Sequence, residues 1–293
     1  MTTSMAAALE RALTLGRRLA LALAVALAAI VSPARAEPVY RFSPVNQFGI
    51  ALTAAYWNPI IAYVSEKSGI KLVLRIGRTS AETTSYVLAS EVEFCFTNHL
   101  FSPEREKLGW KVFASRNVAP ISGQIVVPAE SPISELAQLA GGTVAFAGPE
   151  AVVGYKFPYA QLLSKNIDVA VVFGGNHDGA FTQLFSGKVR AVGTVSALAE
   201  AYALRAGRKF RVLWTSEPVP ELAFMVAPQV PEKVVTAVAE ALIGMSSDPR
   251  GREVVRKASA LVGLPDDAFF IAANRGEYEA YRRFYLTAPA SLR

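Results

Sequence analysis

The chain has 293 residues, of which 52% are hydrophobic and 18% are charged, and its formal net charge at pH 7 is +6. A chain of this length is ample for one or two packed domains. Its charges are scattered along the sequence, which argues against a basic stripe that binds nucleic acid. With one cysteine the chain cannot form an internal disulfide, so the packed core alone must supply stability.

The N-terminal segment has the layout of a secretory signal peptide. Arg17 and Arg18 precede an unbroken apolar run of 13 residues (19–31), and an A-x-A cleavage site ends at Ala36. An ordinary membrane span needs about 20 apolar residues, so the run is too short for one. We therefore predict a cleaved signal peptide at 1–36 and an exported mature protein. The predicted signal peptide contains four arginines and one glutamate, which leaves the remaining chain with a net charge of only +3.

The segments that follow alternate between strand-like and helix-like patterns. Short runs rich in Val, Ile and Leu predict strands, and apolar residues at helical spacing predict helices. In chain order, the predictions are a strand at 38–45, a helix at 50–69, a strand at 71–77, a helix at 80–91 and a strand at 92–97. This β-α-β-α-β order favours a mostly parallel sheet with helices on both faces.

A second α/β unit is predicted in the middle of the chain. Its elements are a strand at 123–131, a short helix at 132–141, strand-turn-helix segments at 142–166 and 168–188, and a strand at 189–195. Two further helices are predicted at 231–247 and 252–263. The sequence thus predicts two α/β units followed by a helical C-terminal part.

Four segments, in this order, resemble a known family. They are YWNPIIAYVSEKSGIKL (56–72), EVEFCFTN (91–98), ISELAQLAGGTVAFAGPEAVVG (133–154) and GGNHDGAFTQLFSGKV (174–189). Together they resemble the periplasmic phosphate/phosphite/phosphonate-binding proteins of ABC transporters, which are type 2 periplasmic binding proteins. The resemblance implies an α/β protein of two lobes, each a mostly parallel sheet flanked by helices. It also implies capture of a small oxyanion or oxo-acid in a cleft between the lobes, for delivery to a transporter permease.

The resemblance implies the following division of the chain. After the signal peptide, lobe 1 would consist of residues 37–122 and 227–293, and lobe 2 of residues 123–226. Two crossover strands, placed at 123–127 and 222–226, would join the lobes. The ligand would lie at strand ends and helix N-termini, where unpaired N–H groups and the helix dipole favour anions.

Two residues depart from the family pattern. The family has a run of hydroxyl residues at the start of a lobe 2 helix, but this chain has Glu150 followed by Ala151 and two valines. A carboxylate there satisfies the helix dipole and repels a second anion. Arg190 stands where the family has an aspartate, and its guanidinium is suited to a bidentate contact with an oxyanion. Both residues are candidates for contact with the solute.

The remaining candidates come from the cleft segments of the family. On a strand, Cys95, Thr97 and His99 share one face because side chains alternate with a period of two. Tyr56 lies where the family places a cleft tyrosine, and His177 belongs to the matched His-Asp motif. The full set of predicted ligand-binding residues is Tyr56, Cys95, Thr97, Asn98, His99, Glu150, Asn176, His177 and Arg190.

The single cysteine leaves a second hypothesis open. A thiolate near oxygen and imidazole groups suits a thiophilic solute such as arsenite, which needs no anion cradle. Arsenite-binding periplasmic proteins of the same family use a cysteine and signal to a membrane histidine kinase. The alternative to phosphonate-class binding is therefore an arsenite sensor protein that uses Cys95.

Other functions find no support in the sequence. The chain has no Ser-His-Asp arrangement, no phosphate loop and no metal-hydrolase motif, so we predict that it is not an enzyme. The spacing of Cys95 and His99 is too loose for a structural metal site. We expect a monomer without cofactor or resident metal, whose partners are a small solute and either a permease or a sensor kinase.

Overall fold

The computed structural model describes residues 38–293. The predicted signal peptide at 1–36 lies outside these residues. Within the described part of the chain, no helix is long and apolar enough to cross a membrane.

The strands of the described chain are numbered in chain order. They are β1 (Val39–Pro44), β2 (Lys71–Leu74), β3 (Phe94–Thr97), β4 (Lys111–Arg116), β5 (Gly123–Pro128), β6 (Thr143–Phe146), β7 (Ala170–Phe173), β8 (Ala191–Val195), β9 (Phe210–Thr215), β10 (Ala223–Val226) and β11 (Phe270–Ala272).

The α-helices are numbered in the same way. They are α1 (Ile50–Ser68), α2 (Ser80–Leu88), α3 (Phe157–Ser164), α4 (His177–Phe185), α5 (Ser196–Ala206), α6 (Glu232–Ile243), α7 (Pro249–Val262) and α8 (Glu279–Thr287). A π-helical turn at Val152–Lys156 leads directly into α3. The predicted helix at 132–141 is only a short 3₁₀ turn, Leu136–Leu139.

The first sheet has six strands in the order β11-β4-β10-β3-β1-β2. Strand β1 pairs in parallel with both β2 and β3, as the β-α-β-α-β pattern predicts. Strand β10 returns from the far part of the chain and inserts between β3 and β4, antiparallel to both. The sheet is therefore mixed and not mostly parallel, because a strand that returns without a helical crossover can run in the opposite direction.

The second sheet has five strands in the order β7-β6-β8-β5-β9. Strand β6 is parallel to β7 and β8, whereas β5 is antiparallel to β8 and β9. This sheet is also mixed. The strand-turn-helix repeats give the parallel pairs, and β5 and β9 give the antiparallel ones.

A cluster of aromatic side chains forms the core beneath the first sheet. The ring of Trp57, on α1, lies 4.9 Å from Phe42 on β1, 5.2 Å from Phe96 on β3 and 5.7 Å from Phe224 on β10, measured between centroids. Edge-to-face contacts of this kind stabilise a core beyond the buried area alone. Helix α1 ends where Gly69 adopts a left-handed conformation with φ 69°.

Two connections link the six-stranded sheet to the five-stranded one. Residues 117–122 join β4 to β5, and residues 216–222 join β9 to β10. Ile121 and Val219 of these connections exchange two backbone hydrogen bonds of 2.8 Å. The predicted lobe boundaries at 122/123 and 226/227 stay a prediction; strand β10, assigned to the second crossover, pairs within the six-stranded sheet.

Candidate functional site

A narrow cavity lies between loops of the two sheets. The loop after β1, the start of α2 and the residue after β3 line it from the side of the first sheet. The loop after β6 and the start of α4 line it from the side of the second. Its volume is about 40 Å³, and because one water molecule needs about 10–15 Å³, it holds a solute of only a few heavy atoms.

Asn46 holds the loop after β1 in place. Its amide nitrogen donates to the carbonyl oxygen of Gly77 (2.9 Å), and its amide oxygen accepts from the hydroxyl of Thr83 (2.5 Å). Asn46 is 1% exposed and lines the cavity. These two bonds fix the amide of Asn46 in the cavity wall and leave its second N–H for a solute.

Ser80 brings a free hydroxyl to the cavity. It is the first residue of α2, and its backbone N–H donates to the carbonyl of Gly175 on the other side of the cavity (2.9 Å). Its side-chain oxygen is buried and has no hydrogen-bond partner. A buried hydroxyl without a partner is unfavourable, so a bound solute with an acceptor oxygen would satisfy it.

Asn98 reaches the cavity from the end of β3. Its amide nitrogen donates to the hydroxyl of Tyr281 (3.3 Å), which leaves its carbonyl oxygen and a second N–H for a solute. The neighbouring predicted residues face elsewhere. The hydroxyl of Thr97 and Nδ1 of His99 are hydrogen-bonded to each other, and neither residue lines the cavity. Burial, with a smaller contribution from nearby Arg105, lowers the pKa of His99 to about 3.

His177 lines the cavity at the first residue of α4. Asn176 caps this helix, because its side-chain oxygen accepts from the N–H of Gly179 (2.9 Å). Nδ1 of His177 is hydrogen-bonded to the hydroxyl of Thr194 (3.1 Å), so Nε2 is the nitrogen available to a solute. Burial lowers the pKa of His177 to about 4, which keeps the imidazole neutral at pH 7.

Glu150 lines the cavity but is already paired. Its Oε2 accepts a hydrogen bond of 2.6 Å from Nη1 of Arg105, which follows β3 in the chain. Burial alone would raise the pKa of Glu150, but the hydrogen bond and charge of Arg105 outweigh that effect and lower it. The carboxylate therefore stays ionised with its charge compensated, and it repels an anion less than an isolated glutamate would.

Six of the nine predicted residues do not line the cavity: Thr97, His99 and Asn176, described above, and Tyr56, Cys95 and Arg190. Tyr56 is 2% exposed in the aromatic core, with its hydroxyl unpartnered. Cys95 is fully buried within β3, and burial raises the pKa of its thiol well above the usual value. Arg190 is exposed at the start of β8, where its side chain lies against Gly142.

The structure thus brings together Asn98, Glu150 and His177 of the predicted set. It adds Ser80 and Arg105, which the sequence analysis missed because neither type of residue stands out in a single sequence. The one signal that could have identified Ser80 is its place at the start of a predicted helix, where backbone N–H groups lack partners. Most of the remaining wall is apolar: Ala147, Val152, Val153, Val195, Leu198 and Leu222. Within residues 38–293 no cluster of His, Cys, Asp and Glu is arranged to hold a metal ion.

Several solved structures share the architecture of this chain. A binding protein component of an ABC phosphonate transporter from Pseudomonas aeruginosa is 14% identical, with a TM-score of 0.71 over 82% of this chain and 83% of that one. PhnD1 from Prochlorococcus marinus, in complex with methylphosphonate, is 12% identical, with a TM-score of 0.70 over 83% and 95%. A protein from Xanthomonas citri bound to ATP is 16% identical, with a TM-score of 0.65 over 85% and 96%. The fold is that of a type 2 periplasmic binding protein.

The sequence gives the family. Residues 47–264 match the family described as the periplasmic substrate-binding protein of the phosphonate ABC transporter, and the chain belongs to this family. Members of this family are substrate-binding components, which is the class of protein that the sequence predicted. No curated protein sequence matches the chain.

The arsenite alternative finds no support. It required the Cys95 thiol at the wall of the cleft, but the side chain is 0% exposed and does not line the cavity. The error has a physical cause. Strand β3 is buried on both of its faces. The alternation of side chains along this strand therefore distinguishes two buried faces, and it does not distinguish a core face from a cleft face.

Proposed function

We propose that this protein is a periplasmic solute-binding protein that captures a small phosphonate-class oxo-acid in the cavity and delivers it to an ABC transporter permease. One observation carries the proposal. Ser80, Asn98 and His177 come from three separate elements and line one small cavity, where each keeps hydrogen-bonding capacity for a solute. Membership of the family and the fold shared with phosphonate-binding proteins support the solute class.

The chemistry of the cavity suits a compact oxo-acid. The Ser80 hydroxyl and the second N–H of Asn98 are donors, and Nε2 of the neutral His177 is a donor when Nδ1 accepts from Thr194. Apolar residues around them suit the carbon substituent of a small phosphonate. The small volume disfavours nucleotides and other large solutes.

We further propose that the protein acts as a monomer in the periplasm, with a permease and not a sensor kinase as its protein partner. It requires no cofactor or nucleic acid and does not convert its solute. The predicted signal peptide and the family's periplasmic location support the compartment. The absence of catalytic motifs supports simple binding. Phosphorus NMR of the protein incubated with methylphosphonate should accordingly show an unchanged ligand.

The proposal predicts binding that depends on the cavity residues. Calorimetry of the mature protein with methylphosphonate, phosphite and phosphate should detect saturable binding of at least one of them. Asn98→Ala and His177→Gln should each weaken it about 10- to 100-fold, since a hydrogen bond to a charged group contributes about 1.5–3 kcal/mol. Small-angle scattering should show compaction on binding, because ligand closes a two-lobed protein about its hinge.

Arg190→Gln is the matched control for this experiment, because Arg190 is a predicted ligand residue whose side chain is exposed and outside the cavity lining. It should bind the solute as the wild type does. Loss of binding in Arg190→Gln together with unchanged binding in the two cavity variants would place the site elsewhere. No binding of any of the three oxo-acids would reject the solute class.

A further inference from the structure

A cluster of three charged side chains lies behind one wall of the cavity. Its members are Arg105, Glu150 and Lys156, which we call the charged cluster. Arg105 and Glu150 form an ion pair of 2.6 Å, and Glu150 contributes to the cavity wall. Lys156 is at the end of the π-helical turn that begins just after Glu150, and it is 6% exposed.

Lys156 has no counter-ion in the described part of the chain. No carboxylate lies within 4 Å of its ammonium group, which instead lies 4.9 Å from the centroid of the Tyr285 ring. Burial is the main reason that the pKa of Lys156 is lowered, while the charge of Glu150 raises this pKa and that of Arg105 lowers it further. A nearly buried ammonium without a partner is unfavourable, so the unpaired charge of Lys156 calls for an explanation.

The charged cluster has a net charge of +1, and the groups around it do not cancel this charge. Arg105 and Lys156 contribute two positive charges and Glu150 one negative charge. The imidazoles of His99 and His177 are neutral at pH 7, because burial lowers their pKa values to about 3 and about 4. Two more groups act on Arg105. These groups are Tyr285 and Glu104, and they do not cancel the excess positive charge. Burial raises the pKa of the Tyr285 phenol and keeps it neutral, and the charge of the exposed Glu104 is screened by solvent.

We infer that the cavity selects a solute carrying a single negative charge, with Lys156 as the source of the uncompensated positive charge. The inference rests on the proposed function and specifies the ionic form of its solute. A monoanion in the cavity makes the region neutral. A dianion leaves one excess negative charge in a poorly solvated site, and a neutral solute leaves the positive charge unbalanced.

Two solutes of the same shape test this inference. Methanesulfonate carries one negative charge throughout the range from pH 6 to 8.5, whereas methylphosphonate changes from monoanion to dianion near neutral pH. The affinity for methanesulfonate should stay constant over this range. The affinity for methylphosphonate should fall about tenfold per pH unit once the dianion predominates, because only the monoanionic fraction is competent to bind. Loss of the Lys156 proton at high pH would weaken the binding of both solutes. A constant affinity for methanesulfonate therefore also shows that Lys156 keeps its charge over this range.

Lys156→Met removes the charge while keeping an unbranched apolar chain over Tyr285. It should weaken methanesulfonate binding at least tenfold. Lys165→Met is the matched control, since Lys165 is an exposed lysine at the end of α3, and it should bind as the wild type does. Lys156→Arg keeps the charge and should keep the preference for the monoanion. This variant provides a second test if Lys156→Met does not fold.

The outcomes separate this inference from the proposed function. Tighter binding of methylphosphonate at pH 8.5 than at pH 6 would overturn the inference and leave the proposed function in place. Unchanged methanesulfonate affinity in Lys156→Met would also overturn it, since Lys156 would then only pack against Tyr285. Failure of every oxo-acid to bind the wild type would overturn both.

Discussion

Cys95 is a core residue of the first sheet. It lies in register with Ser43 of β1 on one side and with Met225 of β10 on the other. Its neighbours in sequence are the phenylalanines of the aromatic core. A free cysteine in such a place behaves as a small apolar side chain, and burial keeps the thiol protonated because it raises the pKa. Burial also protects the thiol from the oxidising conditions of the periplasm.

The position of Cys95 predicts the behaviour of two variants. Cys95→Ser should lower the free energy of unfolding by about 1–3 kcal/mol, since it places a hydroxyl in an apolar core. The affinity for methylphosphonate should change less than twofold, and neither protein should bind arsenite. Urea unfolding and calorimetry measure both quantities, and Cys95→Ala is the control that removes the sulfur without adding a polar group. Rapid reaction of the native thiol with a thiol reagent would contradict the core assignment.

At the scale of elements, the cavity depends on the contact between the π-helical turn and α4. A Cβ atom added at Gly154 would lie 2.6 Å from Cε1 of His177, which is closer than real Cβ contacts allow. The glycine therefore lets the turn approach the helix closely enough for His177 to face the cavity. Thr194 on β8 fixes the other side of the imidazole. The position of His177 is set by three elements together.

Gly154→Ala should displace the His177 imidazole. We expect an affinity loss of about 10- to 100-fold, equivalent to one lost hydrogen bond to a charged solute. Stability should fall by about 1–3 kcal/mol because the extra methyl group overpacks the site. Gly244→Ala is the control, since nothing lies within 4 Å of a Cβ at that position. In a His177→Ala background, Gly154→Ala should add little further loss of affinity, and fully additive losses would contradict the coupling.

At the scale of the whole molecule, the cavity exists because the two sheets meet. The backbone N–H of Gly49 donates to the carboxylate of Asp178 on α4 (3.2 Å), and Arg105 pairs with Glu150 across the same gap. These contacts, with the Ser80–Gly175 hydrogen bond, join loops of the six-stranded sheet to loops of the five-stranded one. His99 and His177 are both buried in this part of the molecule, and Arg105 also donates to the carbonyl oxygen of His99 (3.1 Å).

The buried imidazoles predict how stability depends on pH. Their folded-state pKa values of about 3 and about 4 lie below the value of about 6.5 in an unfolded chain, so the unfolded state binds more protons in this range. Stability is therefore fully present above pH 6.5 and decreases as the pH falls toward 4. Between pH 7.5 and 5.5 each histidine should lower the free energy of unfolding by about 1.4 kcal/mol.

Urea unfolding at several pH values between 5.5 and 7.5 measures this dependence. The slope should be about half as steep in His99→Gln or His177→Gln as in the wild type, even if the variants are less stable at every pH. The comparison with the wild type is necessary because burial raises the pKa of Glu221, which stabilises the fold as the pH falls. Equal slopes in wild type and variants would show that the imidazoles are not protected from protonation.

Local patterns in the sequence predicted much of the fold. Helix α1 was predicted at 50–69 and spans Ile50–Ser68, because its apolar spacing and the glycine that ends it are local signals. The α/β class and the parallel pairing of β1 with its neighbours follow from the order of elements. The family resemblance located the cavity segments, of which Asn98, Glu150 and His177 line the cavity.

Only the tertiary structure decided the rest. The antiparallel insertion of β10 between β3 and β4 depends on strand pairing over more than a hundred residues, which no local pattern records. The pairing of Glu150 with Arg105, 45 positions apart, turned a predicted repulsive carboxylate into part of a positively charged cluster. Periodicity placed Cys95 on one face of its strand but could not say what covers that face. Burial and electrostatic compensation depend on which elements pack together, and the packing of distant segments determines both.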